Sequence, residues 1–228
     1  MPKSTKAIKV TDKAKAWNKK AKSSNYKIDT IPVNKIILIV CEGQTEKLYF
    51  ESFPVLGMKV EAIDLRGQSK LKLIESTQKI IEISDSEYDG VWCVFDMDVK
   101  RGAEEFSDFD NSIEKGIELG YNIAYSNDSF ELWFYLHFEY TDAEHLRGFY
   151  YDELGKKFGI NYVREGKKYA FCLQLYNTLM EDENSSQEKA IDRAEKLFKK
   201  VKDLPFHQQN PVTKVFELVK ELNKNLRR

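Results

Sequence analysis

The stretch IILIVCEGQTE, residues 36–46, decides the fold. Five aliphatic residues and a cysteine run without a polar break, which predicts a strand buried on both faces, and such strands belong to parallel sheets covered by helices. At Glu42-Gly43 the polarity reverses. A helical pattern then runs from about Thr45 to Phe53 and is stopped by Pro54 and Gly57.

The same alternation continues outward. MKVEAIDL (58–65) alternates as a half-buried strand does, and LKLIESTQKIIEI (71–83) follows Gly67 and Ser69 with helical periodicity. After the Asp89-Gly90 turn, VWCVFD (91–96) is the second nearly continuous apolar strand. A helix from about Ser107 to Leu119 ends at Gly120, and YNIAYS (121–126) makes a fourth strand. This β-α-β-α-β-α-β order predicts an α/β fold with a mainly parallel four-stranded sheet flanked by helices on both faces. Beyond Ser126 the chain reads as helical: FELWFYLHFEY, EHLRGFYYDELGKKF, KKYAFCLQLYNTLM, EKAIDRAEKLFKKV and VTKVFELVKELNKNL are all amphipathic or apolar enough. Three segments are expected: a basic arm at 1–34, an α/β core at 35–127 and a helical extension at 128–228 packed on that core.

Composition narrows the class. With 42% hydrophobic and 32% charged residues the chain is neither fibrous nor disordered. No apolar run approaches the roughly 18 residues of a membrane span, and the lysine-rich start has no apolar signal core, so a cytoplasmic protein without a membrane partner is expected. Cys41, Cys93 and Cys172 lack C-x-x-C spacing, which leaves reduced core thiols as the expectation. The net charge of −1 conceals nine lysines against Asp12 and Asp29 in residues 1–30. Such an arm suits counterion release from a nucleic-acid backbone, or it is a solvated tail.

Placed on this scaffold, Glu42 follows the first strand, Asp96 and Asp98 close the third, and Ser126, Asn127 and Asp128 follow the fourth. All meet at the carboxyl edge of the sheet, where open α/β folds bind ligands. Carboxylates converging there repel one another unless they share a cation, and oxygen ligands suit Mg²⁺ or Mn²⁺. Gly43 leaves room for a phosphate behind Glu42, and Lys100 and Arg101 follow the D-x-D into position to contact one. Each feature has a plainer reading: Glu42 as a helix-start residue, D-x-D as a surface turn, Lys100 and Arg101 as a solvated loop. Glu46, one helical turn past Glu42, faces either the cleft or solvent. His137, among Phe134, Leu136 and Phe138, reads as a core histidine, and Trp133 and Tyr135 as packing. Asn210-Pro211, with Thr213 as a cap, is expected to start the last helix.

A strand ending in glutamate and glycine, followed by a later strand ending in D-x-D, resembles the Toprim fold of topoisomerases, primases and overcoming-lysogenization-defect nucleases. More narrowly, CEGQTEKLYF (41–50), VFDMD (94–98), SNDSFELWFYLHFE (126–139) and NPVTKVFELV (210–219) resemble the RloB family, which includes the abortive-infection protein AbiLii. The resemblance implies a Toprim-like, Mg²⁺- or Mn²⁺-dependent nuclease of bacterial phage defence, acting on DNA or RNA beside an ATPase of the ABC or AAA type. It implies Glu42, Asp96 and Asp98 as metal ligands, with Glu131 joining them as a catalytic residue. Gly43, Lys100, Arg101, Ser126 and Asn127 would then contact substrate. Asp128 stands where many members have proline, which could add a carboxylate to the site. Two other readings stay open. VFDMDV also resembles the haloacid-dehalogenase phosphatase signature, with Asp96 as nucleophile, though that motif normally follows the first strand. The chain could also be a non-enzymatic module that regulates a defence ATPase.

Overall fold

Four strands form in the predicted order, and each leads into a helix. β1 (Lys35–Cys41) is followed by α1 (Gln44–Glu51), β2 (Met58–Asp64) by α2 (Lys70–Ile83), β3 (Gly90–Asp96) by α3 (Ala103–Glu118) and β4 (Asn122–Asn127) by α4 (Glu131–Phe138). The computed structural model describes residues 35–98 and 103–227. The basic arm expected at 1–34 and the Lys100-Arg101 pair lie outside the described residues. The remaining elements are α5 (Arg147–Phe158), α6 (Tyr162–Glu165), α7 (Tyr169–Glu181), α8 (Gln187–Val201), a short 3-10 turn (Phe206–Gln208), β5 (Val212–Thr213) and α9 (Val215–Asn223).

Among the described residues the sheet has five strands in the order β2-β1-β3-β4-β5, not four. β1 to β4 are parallel, with Cys41 level with Asp64 and Val94, and Asp96 level with Ser126; β5 runs antiparallel to β4. β5 arises from the stretch expected to open the last helix. Val212 is buried against the sheet, and Thr213 Oγ1 takes the buried Ser126 hydroxyl at 2.8 Å, so burial and a satisfied hydroxyl override the local helix signal. The chain steps from β1 outward to β2, then returns to β3 on the other side of β1. That reversal creates a crevice between the carboxyl ends of β1 and β3.

Each face of the sheet has its own core. On one, Leu38, Val40, Cys93 and Phe95 pack with Leu73 and Ile74 of α2 and Phe109 and Ile113 of α3. Gly116 brings α3 close to the sheet, because a Cβ there would lie 2.4 Å from Ile123 Cδ1. On the other face, Ile37, Ile39 and Val94 join Tyr49 and Phe50 of α1, Trp133 and Leu136 of α4, Leu175 of α7, Leu197 of α8 and Val219 of α9. The helices beyond residue 128 thus share an apolar core with the sheet.

All eight residues of α4 are buried, Glu131 and His137 included, as befits a helix apolar on nearly every side. Trp133 Nε1 donates to Tyr49 OH at 2.9 Å, tying α4 to α1. His137 sits in the core with Nδ1 3.0 Å from the Trp133 carbonyl, and all three cysteines are free and buried. Among the described residues no helix is long and apolar enough to cross a membrane.

Candidate functional site

Two main-chain bonds place Glu42: its carbonyl accepts the Gly67 N–H at 3.1 Å. Its N–H donates to Val94 O at 2.9 Å, carrying the β1–β3 pairing one residue past Cys41 and setting the side chain beside the end of β3. There Glu42 Oε2 accepts the Asp96 N–H at 3.4 Å, and Asp96 Oδ2 accepts the Phe130 N–H at 3.2 Å. Met97 is buried in the core shared with α2 and α3, so the pleat directs Asp96 to the opposite face. Asp98, with φ of 48°, donates its N–H to Asp128 O at 3.1 Å and holds an Arg147 guanidinium nitrogen 2.6 Å from Oδ1. Glu131, 3% exposed, opens α4 with Oε1 3.9 Å from Lys167 Nζ.

Glu42, Gly43, Asp96, Asp98 and Glu131 line one cavity of about 260 Å³ at the β1–β3 crevice, so five of the sequence-predicted site residues come together. Ser126 and Asn127 do not line it. Ser126 Oγ bonds to Thr213, and Asn127 Nδ2 donates to His207 O at 3.2 Å; both side chains are committed to holding β4 to the segment that carries β5. Glu46 does line the cavity and is 9% exposed. Gly43 is the N-cap of α1, which makes Glu46 the third helical residue, and a Cβ on Gly43 would meet Glu46 Oε2 at 2.9 Å. A glutamate three residues after an N-cap folds back over the helix start, and that spacing was the available signal for it.

Among the described residues three basic ones also line the cavity: Arg66, Arg147 and Lys167. Arg147 begins α5 and Lys167 lies between α6 and α7, so the helical half supplies cations to an acidic centre built by the sheet. Neither shows a local sequence signal, since both follow from how distant segments pack.

The carboxylates burden one another. Burial pushes Asp96 well above the usual range and Glu42 adds to the rise; burial also raises Glu42, with Asp98 contributing. Glu46 is raised to about 7 by burial, then by Glu131 and Glu42. Burial opposes the charge of Arg147, yet Asp96 and Asp98 raise its pKa. Among the described residues five carboxylates face Arg66, Arg147 and Lys167 at the cavity, and burial together with that crowding keeps Glu42, Glu46 and Asp96 raised.

Among the described residues no group of three or more His, Cys, Asp or Glu side chains is arranged to hold a metal ion. Arg147 reaches both aspartates instead, 2.6 Å from Asp98 and 3.8 Å from Asp96. The donor set nevertheless fits a hard divalent cation in its chemistry: the acidic donors are all carboxylate oxygens, and a cation among them would offset the repulsion between Asp96, Glu42 and Asp98.

An α/β chain wound about β1, with carboxylates gathered where the strand order reverses and cations brought over them by a helical half, defines the class. Within it the chain belongs to the RloB-like family, whose model matches residues 37–222. Neither a curated protein nor a solved structure matches it.

Proposed function

We propose that this chain is a Toprim-like, metal-dependent nuclease that cleaves phosphodiesters of DNA or RNA in bacterial phage defence, beside an ATPase of the ABC or AAA type. The observation that carries the reading is the convergence of Glu42, Asp96, Asp98 and Glu131 in one cavity at the β1–β3 crevice, rimmed by Arg66, Arg147 and Lys167. Acidic groups alone would repel a phosphodiester. Together with cations they suit a site in which one wall grips a metal and the other grips phosphate.

Asp96, Asp98 and Glu42 are the residues that would hold Mg²⁺ or Mn²⁺, which polarises the scissile phosphate and steadies the leaving oxygen when bound. Glu42, beside Asp96, serves as a further ligand or takes the proton of the attacking water. Glu131, fixed in the first turn of a wholly buried helix, shapes the floor of the site and orients Lys167 toward it. Gly43 keeps the entrance above Glu46 clear of side-chain atoms.

The test is cleavage of plasmid, single-stranded DNA, RNA and tRNA by the purified chain with Mg²⁺ or Mn²⁺, with and without an ATPase partner. Cleavage that disappears in Asp96→Asn and Glu42→Gln supports the reading. Full phage protection by the soluble double variant would instead favour a binding module. A phospho-aspartate trapped on Asp96 would favour the phosphatase.

A further inference from the structure

The nuclease reading sets Arg147 in the basic wall, yet among the described residues it makes the tightest ion pair in the cavity, and makes it with the acidic wall. Its guanidinium lies 2.6 Å from Asp98 Oδ1 and 3.8 Å from Asp96 Oδ2, the two carboxylates on which a divalent cation would depend. Its attachment to the fold is separate from its charge. The Arg147 main-chain N–H donates to Asp128 Oδ2 at 2.9 Å, while the Asp128 carbonyl accepts the Asp98 N–H at 3.1 Å. Asp128 therefore caps the start of α5 and fixes the D-x-D turn, and the long Arg147 side chain can leave the aspartates without unravelling either element.

We propose that Arg147 is an exchangeable counterion: it neutralises Asp96 and Asp98 until a divalent cation takes them, and the displaced guanidinium then grips a phosphate of the nucleic-acid substrate. This deepens the nuclease reading and rests on it.

Three physical points carry it. Two carboxylates share one unit of positive charge from Arg147, and a divalent ion offers two in a smaller volume, so it outcompetes the guanidinium for the same oxygens. An arginine cannot shed its proton, and a half-buried guanidinium that loses its carboxylates requires another anion. Finally, the cavity is also lined by Lys167 and Arg66, so an incoming phosphate meets a basic wall that the planar fork of arginine completes bidentately. Metal and phosphate binding are then coupled, each strengthening the other.

The experiment is a calorimetric titration of the full chain with Mn²⁺ alone, for wild type, Arg147→Met and Arg147→Lys, with thermal unfolding to confirm that each variant is folded. Arg147→Met keeps the apolar stem and removes the competing charge, so Mn²⁺ should bind about tenfold more tightly than to wild type, with Arg147→Lys between them. In a second arm, a labelled oligonucleotide is bound with and without Ca²⁺, chosen to keep the strand uncut. Wild type should gain affinity with the metal, and Arg147→Met should lose most of that gain. Mn²⁺ affinity that is unchanged or weaker in both folded variants would overturn the exchange. Absence of Mn²⁺ binding in all three proteins would overturn the nuclease reading itself, a distinct result.

Discussion

At the scale of single residues the site is a balance of charges held out of water. Asp96 illustrates it: burial and Glu42 disfavour its ionised form, the Phe130 N–H and Arg147 favour it, and the repulsive contributions prevail. Asp96→Asn keeps the shape and an oxygen that can still accept the Phe130 N–H. It should lower cleavage at least about a hundredfold, because several kcal/mol of charge stabilisation by the metal is lost. The fold should be kept and the melting temperature should rise, by about 2–4 °C for each kcal/mol of repulsion relieved in a chain of this size. Activity assays and calorimetry on the same preparation check both halves; a fall in melting temperature would show that the attraction between Asp96 and Arg147 outweighs the repulsion from the neighbouring carboxylates. The sequence made Glu42, Asp96 and Asp98 legible because each follows an apolar strand. Arg147 was illegible because its partners lie on β3 and the β4–α4 turn, and no local pattern marks such a pairing.

At the scale of elements, α4 is the member on which the helical half turns. Its composition, FELWFYLHF, left few positions fit for solvent, and the helix is accordingly enclosed on every side. The price is a buried titratable group. Burial lowers the pKa of His137 to about 4 from an ordinary value of 6.5. The unfolded chain therefore takes up this proton first as pH falls. Stability from neutral His137 is complete above pH 6.5 and is lost as pH falls to 4, by about 3 kcal/mol. The raised Glu42, Glu46 and Asp96 act in the opposite sense, so the informative quantity is the difference between wild type and His137→Gln. In urea unfolding that difference should narrow by about 3 kcal/mol between pH 6.5 and 4. Parallel curves would mean that His137 takes up its proton without unfolding.

For the whole molecule, the decisive fact is that one face of the sheet has no cover of its own beyond α1. Ile37, Ile39, Tyr49, Phe50 and Phe53 are buried by α4, α7, α8 and α9, all encoded after residue 128. A fragment ending at Asn127 should therefore fail to fold, binding a hydrophobic dye and lacking sharp amide dispersion in NMR, while the intact chain unfolds in one transition by both circular dichroism and Trp fluorescence. A soluble, well-dispersed fragment would show two separable units.

The sequence by itself determined the succession of strands and helices, the parallel sheet and the position of Glu42 and the D-x-D at its carboxyl edge. These follow from local physics: a strand buried on both faces must be continuously apolar, and polar residues that end it emerge at the rim. Only the tertiary structure decided that Val212-Thr213 adds a fifth strand, that Ser126 and Asn127 turn inward, and that Arg147 and Lys167 face the cavity. Those outcomes depend on buried hydroxyls and charges finding partners from distant segments. The free energy of such pairing is set by burial, which no local pattern encodes.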